Sequence, residues 1–205
     1  MNPGHPQIVS CPFCGTEKEL LSLRSGNTFG ARYWSDNKQD APMLPQVSYV
    51  QKCHKCGKYY ILARQKVKYA DDGWSFELGN LNYLETVEAF NQLNTEGFND
   101  LNEECNVRLL MLHTYNDCFF REETSNKPTE HDKHFMCENI LWLIDNWAQD
   151  EILKAELYRE AGIFDKSLEI LNCVNVADDF LVKIKTEIIK RAHNNDSMVF
   201  EITNI

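Results

Sequence analysis

Cys11-Pro12-Phe13-Cys14-Gly15 and Cys53-His54-Lys55-Cys56-Gly57 are two C-x-x-C-G units with 38 residues between them. Each unit can close a tight turn that presents two thiolates to one ion, its trailing glycine free to take the positive φ such a turn favours. Two turns brought together supply four sulfurs in a tetrahedral set, which zinc prefers at structural sites. Iron is the alternative occupant of such a set. A redox C-x-x-C normally opens a helix after a strand in a βαβ unit, and neither pair has that context. Four thiolates leave no exchangeable position, whereas catalytic zinc keeps one open for water or substrate. The expectation is therefore a structural Zn2+ held by Cys11, Cys14, Cys53 and Cys56, a cluster of net charge -2. His5 and His54 lie near these ligands in sequence but are surplus to a complete set.

No other constellation carries comparable chemistry. His131, His134 and Cys137 fall three residues apart and could share one helix face, with His113 and Cys118 elsewhere as further candidates for a second metal site. The run His131-Asp132-Lys133-His134 follows a polar stretch, so a solvated helix start is the expected role. Cys105, Cys118, Cys137 and Cys173 stand on or beside apolar helical positions, where a free cysteine behaves as a small hydrophobe. The acidic pairs Asp71/Asp72, Glu103/Glu104, Glu122/Glu123 and Asp178/Asp179 are adjacent residues, which do not face each other on a helix. They are expected on solvated faces and caps. The phosphate-binding glycine loops, the nucleophile elbow and the H-e-x-x-H signature are all missing. No catalytic residue is assigned, and the expected protein is not an enzyme.

The elements that must position the four cysteines come next. Gln46–Lys52 leads into the second unit and Tyr59–Tyr69 leads out. In the latter, Tyr59, Ile61, Ala63, Val67 and Tyr69 alternate with Arg64, Lys66 and Lys68, which predicts a half-buried strand with one basic face. Asp71-Asp72-Gly73 predicts a turn. Between the knuckles an insertion over 25–46 is rich in turn residues yet carries Phe29, Tyr33, Trp34, Met43 and Leu44. Two roles are open for it: packing over a zinc domain too small for a core of its own, or a recognition surface built on Trp34 with Arg32 and Asp36.

From about residue 83 the apolar period becomes helical. Leu101, Cys105, Leu109, Leu112 and Phe119 form one stripe, and Ile140, Leu141, Ile144 and Trp147 another. Later stripes are Leu157 with Ala161, then Phe164, Leu168 and Leu171, then Leu181, Ile184, Ile188 and Ala192. Asp150, Asp165 and Asp178 stand where N-caps are expected, and Gly162 where a left-handed C-terminal residue is. About six helices follow, joined by short loops except at Thr124–Thr129. The predicted fold is α+β: a β domain over 1–75, then an all-α antiparallel helical domain over 76–205.

The paired cysteine turns resemble the two knuckles of a zinc ribbon over about residues 7–69. Ala155, Tyr158, Gly162, Phe164, Ser167, Leu168 and Leu171 are similar to a tetratricopeptide repeat over about 150–174, without its closing proline and without a second copy. The whole resembles bacterial zinc-ribbon proteins with a helical tail, a likeness that supplies no activity. Helical hairpins of this kind present grooves to peptides and proteins, so a protein or peptide partner is expected.

Charge bears on the other partners. The 205 residues carry a net charge of -10, which argues against general affinity for nucleic acid or anionic membrane. Along the chain the balance is uneven: residues 1–70 hold ten Lys/Arg against four Asp/Glu, and residues 71–205 eleven against twenty-seven. Lys52, Lys55, Lys58, Arg64, Lys66 and Lys68, interleaved with Tyr59, Tyr60 and Tyr69, make nucleic-acid binding through the ribbon the alternative function. No run reaches the roughly 18 to 20 apolar residues of a membrane span. Met1–Pro6 lacks the basic and apolar regions of a secretory signal, and the expected location is cytoplasmic, where thiols stay reduced.

Overall fold

The structure is a computed structural model and describes residues 1–121 and 126–202. In chain order its strands are β1 (Asn2–Pro3), β2 (Gln7–Ser10), β3 (Glu17–Leu20), β4 (Leu23–Ser25), β5 (Arg32–Tyr33), β6 (Gln39–Asp40), β7 (Val50–Lys52), β8 (Tyr59–Ile61) and β9 (Val67–Tyr69). Six helices follow among the described residues: α1 (Tyr83–Glu96), α2 (Leu101–Phe119), α3 (Glu130–Asn146), α4 (Glu151–Glu160), α5 (Phe164–Cys173) and α6 (Asp179–His193). The fold is α+β, small antiparallel sheets followed by helices. Two compact units divide the chain, Met1–Ala31 with Asp40–Met111, and Arg32–Gln39 with Leu112–Ile205. The compact units part inside α2, and eight residues of the insertion fall with the later helices.

In the first unit β2 is the centre of a three-stranded antiparallel sheet, ordered β3-β2-β9. Val9 and Leu20 carry its buried side. A second antiparallel pair joins β7 to β8, with Val50 opposite Ile61 and Lys52 opposite Tyr59. The long strand predicted over Tyr59–Tyr69 is two short ones separated by a 3-10 turn at Leu62–Arg64. Its alternation fails for the same reason: Tyr59, Tyr60 and Ile61 are all buried, while Val67 and Tyr69 are exposed. The lead-in strand is likewise shorter than expected, Val50–Lys52 alone.

Helix α1 begins with a capping box. Asn82 Oδ1 accepts from Glu85 N at 3.0 Å, and Glu85 Oε2 accepts from Asn82 N at 3.1 Å. Two otherwise orphaned donors are thereby satisfied. Tyr83, Thr86, Ala89, Phe90 and Leu93 form its buried stripe, and the helix packs on β8. Gln92 clamps the strand's backbone from both sides, accepting from Tyr59 N at 3.1 Å and donating to Tyr59 O at 2.8 Å. Ion pairs add to this. Lys52 meets Glu85 at 2.9 Å, and Arg64 meets Glu103 at 2.5 Å. Glu103 is thus buried against a guanidinium, not on the solvated face expected of it. The pairing with Arg64 holds its carboxyl down to about 2.

The second unit has a core of Ile152, Ala155, Leu171, Ile184, Ile188 and Phe200, drawn from α4, α5, α6 and the segment after α6. Asp150 and Asp178 cap α4 and α6 as expected, each accepting two backbone N–H groups on its carboxylate. Asp165 does not cap: it lies inside the first turn of α5, which begins one residue earlier. Gly162 closes the α4–α5 hairpin with a φ of +77°. Ala155 and Ser167 are fully buried, as close helix approach requires. The predicted stripe of α2 is incomplete, since Leu101 is exposed, and Cys173 is exposed as well. The predicted loop at Thr124–Thr129 and the pair Glu122/Glu123 lie wholly or partly outside the described residues.

The insertion does not pack over the cysteine turns as a block. Phe29 is 85% exposed, and Tyr33 and Met43 are exposed too. Trp34 and Asp36 are buried in the second unit, so a recognition surface built on them is overturned. Ser35 N donates to Phe200 O at 2.9 Å, Phe200 N returns a bond to Ser35 Oγ at 3.1 Å, and Ile202 N donates to Tyr33 O at 2.8 Å. Trp34 itself lies against two guanidinium groups, Arg32 at 4.6 Å and Arg121 at 5.2 Å from the ring centroid, a favourable cation–π geometry.

Candidate metal centre

The two cysteine turns are built alike. In the first, Gly15 N donates to Cys11 O at 2.9 Å and Cys11 N to Thr16 O at 2.9 Å. In the second, Gly57 N donates to Cys53 O at 2.9 Å and Cys53 N to Lys58 O at 2.9 Å. Gly15 and Gly57 both have a φ of +71°, a backbone region costly for any residue with a Cβ. The turn between β2 and β3 thus carries Cys11 and Cys14, and the turn between β7 and β8 carries Cys53 and Cys56. The C-x-x-C-G spacing dictates this local shape.

All four sulfurs lie within 4.8 Å of one another. Cys11 Sγ is 3.7 Å from Cys56 Sγ, and Cys14 Sγ is 3.6 Å from Cys53 Sγ. A tetrahedron with metal–sulfur bonds of about 2.3 Å has edges of about 3.8 Å. Those two edges run between the turns, so the sulfurs interleave in an arrangement that could hold one metal ion. Cys11 and Cys53 are buried while Cys14 and Cys56 are exposed.

The environment separates the thiols. Burial pushes Cys11 up to about 12. Cys14, whose sulfur lies 3.3 Å from Thr16 Oγ1, is drawn down to about 6 by hydrogen bonds from the Thr16 side chain and backbone. Tyr60 packs with Cys11 and Cys53 in one buried cluster. Burial, then the nearby cysteines, raises its hydroxyl to about 12. Neither Thr16 nor Tyr60 stood out in the sequence. Thr16 immediately follows a knuckle, but Tyr60 read as half of a base-stacking strand.

The remaining candidates do not gather. Among the described residues no other group of three or more His, Cys, Asp or Glu side chains brings its ligand atoms so close. His131 and His134 are exposed, and His134 lies 3.5 Å from Glu138 instead. Cys105 is buried, and Cys118 and Cys137 are half-buried. Burial raises all three thiols, which suits small hydrophobes better than nucleophiles. His54 is solvated, and His5 lies beside Arg24 at 3.2 Å.

No family model, curated protein or solved structure matches this chain.

Proposed function

We propose that Cys11, Cys14, Cys53 and Cys56 hold a structural Zn2+ in a zinc ribbon, and that the protein is a non-enzymatic, cytoplasmic interaction module whose partner is a protein or peptide. The observation that carries this reading is the set of four sulfurs within 4.8 Å on two turns of the same build. A four-sulfur, tetrahedral set suits zinc by ligand softness and geometry, and it is closed to substrate. The α4–α5 hairpin, with small buried residues at Ala155 and Ser167 and Gly162 at its turn, supports a tetratricopeptide-like element. Such hairpins present peptide-binding grooves. Among the described residues, no helix is long and apolar enough to cross a membrane.

The nucleic-acid alternative loses four of its nine residues. Tyr59 and Tyr60 are buried and offer no face for a base. Lys52 and Arg64 are taken by Glu85 and Glu103. Lys55, Lys58, Lys66, Lys68 and Tyr69 remain exposed, which is thin cover for a phosphate track.

Two measurements test the proposal. Elemental analysis of protein purified without added metal should find one zinc per chain, displaced by a thiol-reactive mercurial. Substoichiometric metal, or iron in its place, overturns the zinc assignment. Affinity capture from a native lysate should retain a defined protein. Capture of nucleic acid alone, surviving nuclease-free washing and lost with salt, would turn the reading to the alternative.

A further inference from the structure

The second unit sets two carboxyl groups against one amide nitrogen, Asp36 fully buried and Glu160 half-buried, and only that of Asp36 is bonded by a guanidinium. Asp36 Oδ2 accepts from Arg121 Nη2 and, at 2.8 Å, from Asn116 Nδ2. The same Asn116 nitrogen donates to Glu160 Oε2 at 3.0 Å. Glu160 Oε1 is buried without a partner. The neighbouring cations are engaged elsewhere. Arg121 also serves Asp117 at 2.6 Å, and Lys38 meets Asp117 at 2.7 Å. Arg159, on the same helix as Glu160, is held by both oxygens of Glu156 at 2.5 and 2.8 Å and donates to Asp196 O at 2.5 Å.

The groups around Glu160 are then Glu156 and Arg159 on α4, His113, Tyr115 and Asn116 on α2, and Asp36 on the segment Arg32–Gln39. His113 is kept neutral by burial and by the nearby Arg121, so it supplies no compensating charge. A buried carboxylate with one hydrogen bond, an empty oxygen and an ionised neighbour on the same amide nitrogen is costly. One proton removes the cost. Burial first, then the Asp36 and Glu156 charges, accordingly push the Glu160 carboxyl well above the usual carboxylate range. Burial also works against the Asp36 charge, but the Arg121 guanidinium and the Asn116 amide bonded to it outweigh that and hold its carboxyl low. The two acids divide one proton's work between them.

We propose that the Asp36–Asn116–Glu160 bridge is a proton-operated latch: with Glu160 neutral, the Asn116 amide ties α4 to the segment Arg32–Gln39, and ionisation of Glu160 loosens that segment from its own compact unit. The segment is the part of the chain between the two cysteine turns that carries Trp34. Its other fastenings include the Ser35–Phe200 hydrogen bonds and the Lys38–Asp117 pair. The sign is that of a raised acid: the contribution is complete below the carboxyl's unfolded value and is lost as pH rises through its folded one. His113 acts in the opposite sense, its contribution lost as pH falls below its unfolded value.

The test uses the full-length, metal-loaded chain. Carboxyl-carbon NMR of Glu160 is followed from pH 4 to 9 together with hydrogen exchange at the Trp34 indole and the backbone of residues 32–39. Glu160 is expected to stay protonated after ordinary carboxyls, near about 4.3, have ionised. As it ionises, protection of the segment should fall about tenfold per pH unit beyond the intrinsic base-catalysed rise. In Glu160→Gln, which keeps the shape and the acceptor for Asn116, that additional loss should vanish. A Glu160 that titrates in the ordinary range overturns the latch, and this readout needs only the unmutated protein if the variant does not fold. An equal pH-dependent loss in Glu160→Gln overturns it as well.

Discussion

The two compact units place their ion pairs in different surroundings. In the cysteine-bearing unit, Lys52–Glu85 and Arg64–Glu103 keep partial contact with water, with side-chain exposures of 37%/28% and 25%/10%. In the helical unit, Arg121–Asp36 and Arg159–Glu156 are dry, at 3%/0% and 0%/2%. The first unit has strands of two to four residues, too short to hold a sheet without help. It draws its order from the clustered cysteines and from α1 laid on β8. The second unit has a continuous apolar core and can enclose charge. The consequence is a difference in vulnerability. Loss of a wet pair costs little, whereas removing one partner of a dry pair strands the other in low dielectric.

The largest effect expected from breaking this contrast is at the proposed metal site. Cys53→Ser should abolish stoichiometric metal and unfold the first unit, since structural zinc contributes on the order of 10 kcal/mol of coupled binding and folding. Helical ellipticity from α3–α6 should survive. Metal analysis and circular dichroism on one sample check both halves, and a variant with full metal and unchanged melting contradicts the four-sulfur site.

Next in size is the dry pair. Asp36→Ala leaves the buried Arg121 guanidinium with only the half-exposed Asp117 as its carboxylate partner and should cost about 3 kcal/mol. Denaturant unfolding followed at Trp34 measures it, with metal content unchanged. A loss near that of the wet Lys52–Glu85 pair, within about 1 kcal/mol, would erase the distinction between the units.

The smallest is a cap. Asp178 accepts from Phe180 N and Leu181 N at 3.0 Å each, so Asp178→Ala should lower stability by about 1 kcal/mol. The same change at Asp165 should cost less, because that residue caps nothing.

Charge shows how differently the chain reads in one dimension and in three. Along the sequence a basic stretch precedes an acidic one. Divided by compact unit, the first holds nine Lys/Arg against twelve Asp/Glu, and the second twelve against nineteen. The basic strand region is neutralised by acidic residues of α1 and the start of α2, through Lys52–Glu85 and Arg64–Glu103. Of the basic-aromatic run, Tyr59 and Tyr60 are buried, while Lys55, Lys58, Lys66, Lys68 and Tyr69 stay exposed.

Sequence by itself determined the cysteine turns, the six helices among the described residues and the caps at Asp150 and Asp178. These depend on neighbours within about four positions, where backbone geometry translates spacing into shape. Tertiary structure decided what Tyr59 and Tyr60 face, which unit takes Trp34, and that Asp36 meets Arg121, Asn116 and Glu160. Those outcomes depend on which distant surface covers a residue, and local periodicity carries no record of it. A buried carboxylate at position 36 reads as a turn residue until helices from the far end of the chain close over it.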